Sequence, residues 1–199
     1  MSASLDQFRD NIGRVRDLVG VHRALKPSVT LAVDLSDLLR SGLVLAVSAF
    51  DHFIHEIVRV GMVDAFAGRR RTTAAFMNFQ VSTSSVKQAL SQPAATDWLD
   101  AEIRRRHGYR SFQHSAHVAD AVRLISDIAL WDEVTNVLVA TAGSIKEQLN
   151  LIVDRRNKIA HEADIDPGSP GSRWPIDETL VEDSIAFLES VAQTIDRLI

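Results

Sequence analysis

At 199 residues the chain is long enough for one domain with a sizeable core. Its 46% apolar and 24% charged content is that of a soluble globular protein, and the absence of cysteine excludes disulfides and thiolate metal sites. A net charge of −4 argues against a wholly basic nucleic-acid binder. Of the 22 basic residues, however, 18 are Arg and 4 are Lys, with clusters at Gly68–Arg71 and Arg104–Arg106. Such clusters either offer local phosphate sites or reflect Arg-rich residue usage alone. The start "MSASLDQFRDNIGRVRD" has no apolar signal core, and the longest apolar run, "SGLVLAVSAF", is too short for a bilayer. A cytoplasmic protein with no membrane association is expected.

In chain order, Leu5, Phe8, Ile12, Val15, Leu18, Val19 and His22 recur at helical steps, and Lys26-Pro27 ends that first helix. A second, long helix runs from about Asp34 to Phe66. Its apolar stripe is Leu35, Leu39, Leu43, Ala46, Phe50, Phe53, Ile54, Ile57 and Gly61. Ser48, His52, His55 and Arg59 form an opposite stripe flanked by Asp51 and Glu56, which makes this helix the spine of a bundle. Residues 68–113 form a less regular insertion, with short helices around Val86–Leu90 and Ala95–Arg106. Its Ser84-Ser85-x-Lys87 run echoes a serine nucleophile with a lysine base, but nothing else of such a site accompanies it. A helix fits His114–Ile128. "LWDEVTNVLV" and "SIKEQLNLIVDRRNKIAHEA" follow as one or two more, with Gly143 marking a break or a cap. "DPGSPGSRWP" is a loop, and a last helix spans about Asp177 to Leu198. No period-2 run reads as a strand, so the fold class is all-α, a bundle of long helices in one domain over 1–199.

The stretch "DRRNKIAHEAD", Asp154 to Asp164, breaks this pattern. On a helical wheel Ile145, Ile152, Val153 and Ala160 lie within about 60° of Leu149, and Arg156 falls in the middle of that inward stripe. Asn150, Asp154, Asn157 and His161 line a second stripe about 110° away. A cation on a packing face must be paired or held for an anion. Alternatively, Arg156 runs along the core toward Asp154 or Glu162 and His161 caps the helix end.

"RNKIAH", Arg156–His161, resembles the R-x(4–6)-H motif of the HEPN superfamily, including the polar residue after the Arg. With "LLRSGLVLAVSAFDHFIHEIV" (Leu38–Val58) and "DPGSPGSRWPID", it is similar to the RiboL-PSP-HEPN subgroup. The bare motif occurs four times, as Arg16…His22, Arg110…His117, Arg155…His161 and Arg156…His161. Arg156 alone is followed by Asn, late in a long helix. His22 continues an apolar stripe and reads as a core histidine. The resemblance implies a metal-independent endoribonuclease without cofactor, acting on RNA as a C2 homodimer, in a toxin–antitoxin or phage-defence setting with an antitoxin or defence partner. It implies Arg156 and His161 as the catalytic pair, with Asn157, Asp51 and Glu56 in support. Some members carry a Tyr two residues after the motif His as a modification target; here that position is Ala163.

Two other readings stand beside it. One is a non-catalytic HEPN module that binds RNA, nucleotide or a protein partner. The other is a metal enzyme using His52-x-x-His55-Glu56 or His114-x-x-His117, whose order does not match the known zinc-helix signature.

Overall fold

The computed structural model describes residues 2–30, 33–169 and 171–199, so Pro170 of the predicted loop lies outside the described residues. Helix α1 (Ala3–Leu25) starts where the Ser2 side chain accepts the Leu5 N–H, a standard use of Ser as N-cap. It buries Leu5, Phe8, Ile12, Val15, Val19 and His22. A 3-10 turn at Lys26–Ser28 begins the connection to α2 (Ser36–Phe66). The stripe predicted on α2 is buried from Leu39 to Gly61. Arg40, Val47, Ala49, Val58 and Met62 are buried with it. This wide apolar surface lets α2 meet α1, α5, α6, α8 and α9 at once.

The insertion holds α3 (Ala74–Met77), α4 (Thr83–Ser91) and α5 (Asp97–His107). The remaining helices are α6 (Ser115–Val122), α7 (Leu130–Leu138), α8 (Ala142–Glu162) and α9 (Glu178–Leu198). Among the described residues there is no strand, only an isolated antiparallel bridge from Ile165 to Arg173. The architecture is an all-α bundle centred on α2. Its core includes the Phe8–Phe53 ring pair at 5.6 Å and Leu43, Ile54, Leu149 and Ile185 with no measurable exposure. Each such side chain contributes about 1.5–3 kcal/mol by leaving water. Among the described residues, no helix is long and apolar enough to cross a membrane.

Two boundaries differ from expectation. The sixth helix ends at Val122 and does not continue to Ile128, because its exit is held from outside. Arg70 Nη1 donates to the Ile125 carbonyl (3.1 Å) and Thr73 Oγ1 to that of Leu124 (3.3 Å). The break before α8 lies at Val139–Thr141, and Gly143 sits inside the helix. Val139 ends α7 in the left-handed region (φ 52°) and Thr141 caps α8 by accepting the Ser144 N–H. The cap hydroxyl, not the glycine, sets the start.

Candidate active site

Helix α8 presents its two adjacent arginines to different surroundings. Arg155 Nη2 donates to Asp164 Oδ2 (2.9 Å) and to the carbonyls of Trp174 and Pro175 (both 3.1 Å). Asp164 is fully buried and also accepts Arg40 Nε from α2 at 2.7 Å. Burial pulls the Arg155 guanidinium below its ordinary pKa; Asp164 opposes that shift and the nearby charge of Arg40 adds to it. Ala163 and Asp164 both take positive φ (52° and 59°), an unusual pair for residues with a Cβ. The Asp164 N–H returns to the Lys158 carbonyl (3.0 Å) and the Trp174 N–H to that of Asp164 (2.9 Å). Arg173 pairs with Asp34 and Asp37, and Lys158 Nζ stands 5.3 Å over the Trp174 ring. The loop after α8 is thus folded back and fastened, which fixes the last turn of α8.

Arg156 is treated differently. It is half-buried, its Nη1 donates to Asn157 Oδ1 (3.0 Å), and its buried Nε has no partner among the described residues. It meets neither Asp154 nor Glu162. His161 is exposed in the last helical turn, and its side chain makes no hydrogen bond among the described residues. The inward stripe holds at Ile145, Leu149, Ile152 and Val153, which are buried. Ala160, expected on that stripe, is exposed. The second stripe points toward the start of α6. Asn150 Oδ1 accepts the Ser115 N–H (2.9 Å), and His114 Nε2 lies 3.7 Å from Asp154 Oδ1.

Asp51 and Glu56 are engaged away from the arginine–histidine pair. Asp51 Oδ1 accepts the Phe112 N–H (2.6 Å), and Glu56 takes Arg59 (2.7 Å) and Arg104 (3.3 Å). Within one chain neither touches Arg156 or His161; both fasten the insertion to α2. They edge a cavity of ≈ 330 Å³ between α2 and α5, with His55, Arg59, His107 and Arg110. Glu56 is held below the usual carboxylate range: burial opposes that shift, and Arg59, Arg104 and His52 outweigh it. Most of the clustered arginines are similarly spent, Arg71 excepted, which is exposed and makes no side-chain bond among the described residues. Arg104 pairs with Asp100, Arg105 and Arg106 pair with the buried Glu102, and Arg69 pairs with Asp64.

Among the described residues no three His, Cys, Asp or Glu side chains are placed to hold a metal ion. His55 Nε2 faces the Arg110 carbonyl (3.2 Å), and the His114 and His117 rings are 6.1 Å apart. Ser85 of the serine–lysine echo bonds Glu102 Oε2 (3.0 Å). Two roles escaped sequence reading: Asp164 as the joint acceptor of Arg40 and Arg155, and His114 beside Asp154. Asp164 stood inside the quoted motif stretch, but its partner Arg40 lies 124 positions away, so no local pattern revealed it.

An all-α bundle whose α8 carries Arg156-Asn157 and His161 defines the class, a HEPN-type domain. The RiboL-PSP-HEPN family model matches residues 9–199, and the chain belongs to that family. No curated protein and no solved structure matches the chain.

Proposed function

We propose that the protein is a metal-independent endoribonuclease that acts as a homodimer, with Arg156 and His161 as its catalytic pair. The observation that carries this reading is the contrast between the two arginines at motif spacing. Arg155 is consumed by Asp164 and two carbonyls, while among the described residues Arg156 donates only to its neighbour Asn157 and meets no carboxylate, and His161 makes no side-chain bond. RNA carries its own nucleophile. The 2′-oxygen attacks phosphorus as its proton passes to the His161 imidazole, which acts as general base. The Arg156 guanidinium neutralises charge growing on the phosphoryl oxygens. The P–O5′ bond breaks, the 5′-oxygen takes up a proton, and a 2′,3′-cyclic phosphate and a 5′-hydroxyl result. Asn157 orients Arg156 through their hydrogen bond.

A dimer is part of the proposal because residues five apart on a helix diverge by about 140°. One chain does not aim both groups at one phosphate; a twofold axis beside α8 supplies Arg156 from one protomer and His161 from the other. Support comes from a surface left open among the described residues. Val44 and Leu45 of α2 adjoin Ile159 and Ala163 around a recess, with Leu45 48% exposed. The same divergence favours the second reading, a HEPN module that binds RNA, nucleotide or a protein without cleaving. The setting the family resemblance implies is a toxin–antitoxin or phage-defence system.

The test is cleavage of single-stranded RNA by the purified protein in EDTA, with the product ends identified. Cyclic-phosphate ends in the wild type and none with His161→Ala support the enzyme. RNA binding without cleavage supports the binding module. Cleavage lost in EDTA and restored by zinc or manganese removes the proposed mechanism.

A further inference from the structure

The connection between α5 and α6 reads "GYRSFQH", Gly108–His114. Its Tyr109, the one tyrosine in the chain, is 94% exposed. A flat ring held in water at a loop tip calls for an explanation that core packing does not provide. The loop beneath it is tightly fastened. Its N–H at Phe112 goes to Asp51, its Arg110 carbonyl faces His55 Nε2 (3.2 Å), and its Arg110 N–H goes back to the His107 carbonyl (2.8 Å). Phe112 is buried, with its ring 4.3 Å from that of His55 and 5.2 Å from that of His107. Tyr109 is therefore presented from a fixed base.

Arg110 beside it is exposed, and its guanidinium makes no hydrogen bond or ion pair among the described residues. This sets it apart from Arg59, Arg104, Arg105 and Arg106, which all meet carboxylates. Tyr109 and Arg110 border a recess of ≈ 400 Å³ completed by Ser111, Phe112, His117 and Asp120, a space on the scale of one nucleotide. From His117 the surface continues to His114, and His114 Nε2 is 3.7 Å from Asp154 on α8. Asp154 shares its stripe with His161 two turns on, about 10 Å along the helix axis.

We propose that this loop is a binding platform for single-stranded RNA, with a nucleobase stacked on Tyr109 and the adjoining phosphate paired with Arg110. The inference deepens the ribonuclease reading and rests on it for the identity of the ligand. A sequence-tolerant stack next to an uncommitted guanidinium is how single strands are held without base reading. A rigid base adds affinity because little order is lost on binding. The platform also gives Asp51 and His55 a role: they hold the loop and not the reacting groups.

The experiment uses the full chain with His161→Ala, so that RNA is bound and not consumed, and a labelled single-stranded oligoribonucleotide read by fluorescence anisotropy. Adding Tyr109→Ala should weaken binding by about 5- to 150-fold, the equivalent of a stacking worth of about 1–3 kcal/mol. Tyr109→Phe should bind like its parent, since the ring and not the hydroxyl makes the stack. Arg110→Ala should weaken binding and lower the salt slope by about 0.7, as expected for one lost phosphate contact. Affinity unchanged by Tyr109→Ala overturns the platform and leaves Tyr109 as a contact for a protein partner. Cleavage by the wild type is measured separately. RNA bound through Tyr109 but never cleaved keeps the platform and removes the ribonuclease; cleavage indifferent to Tyr109 does the reverse. Absence of any RNA binding overturns both.

Discussion

Arg155 Nη2 lies 2.9 Å from Asp164 Oδ2, and that oxygen also accepts Arg40 Nε at 2.7 Å. One buried carboxylate thus joins the end of α8, the start of α2 and the loop that follows. Two largely buried cations depend on it: its removal leaves Arg155 without an anion and Arg40 with only the exposed Asp37, 3.8 Å away. Asp164→Ala should cost about 3–5 kcal/mol of unfolding free energy, as for other broken buried pairs. Asp164→Asn keeps an acceptor and a residue type that tolerates positive φ, so it should cost less. Urea denaturation of the three proteins checks the order; Ala and Asn variants as stable as the parent would remove the anchoring role.

The adjacent arginines should separate stability from chemistry. Arg155→Ala should lower the melting temperature and, below it, leave RNA cleavage near the parent rate. Arg156→Ala should do the opposite. Its buried Nε has no partner among the described residues, so truncation should keep or raise the melting temperature. Its loss of phosphoryl stabilisation should reduce cleavage by about 10² or more. His161→Ala, an exposed side chain, should melt like the parent and lose at least about 10² in rate. Near-full activity of His161→Ala in a verified dimer would defeat the ribonuclease proposal.

How much of this was legible depended on how local the cause is. The buried side of α2 follows from period 3.6 alone, so Leu39 to Ile57 read correctly. Thr141 as the start of α8 was hidden by the more conspicuous Gly143, although a Thr cap is also a local signal. The short α6 was not legible, because Arg70 and Thr73 stop it from another part of the chain. At the candidate site, Arg156 stood out because it interrupts an apolar stripe, and His161 because it ends the polar stripe beside it at motif spacing. Asp51 stood out as polar on a long helix, but its acceptor role is set by an N–H 61 residues away. Periodicity tells which face a residue occupies and not what meets it there.

His22, in the decoy motif, is 6% exposed, and its Nδ1 lies 3.0 Å from Glu178 Oε1 at the start of α9. Arg23 Nε shares that carboxylate at 2.9 Å. His22→Ala opens a void between α1 and α9 and removes one partner of Glu178. A loss of about 1–3 kcal/mol is expected, from packing and a partly buried hydrogen bond together. RNA cleavage below the melting transition should be unchanged. A stable variant without activity would place His22 in the chemistry and reverse the assignment.

The last prediction concerns acid stability and His107. Its side chain is 3% exposed, packed edgewise on Phe79 and Phe112, and its Nδ1 has no partner among the described residues. Burial, with His55 and Arg110 adding to it, pulls its pKa from 6.5 down to about 4. The unfolded chain then binds more protons at this residue than the folded one between those two values. Stability from a neutral His107 is complete above about pH 6.5 and is lost as pH falls toward 4, with no further loss below. The full effect is on the order of 3 kcal/mol. Carboxylates act at lower pH. Arg105, with Arg106 and Ser85, holds Glu102 well below the ordinary range, with burial opposing, and Ser36 and Arg173 pull the Asp34 carboxyl down to about 2. Their contributions are lost only as the pH falls through the carboxylate range, so the two windows separate. His107→Phe keeps an aromatic wall and removes the titration. Urea unfolding at intervals from pH 7 to 4 should show a falling free energy in the wild type and a flatter line in the variant. Parallel lines would mean that His107 is protonated without penalty in the folded protein.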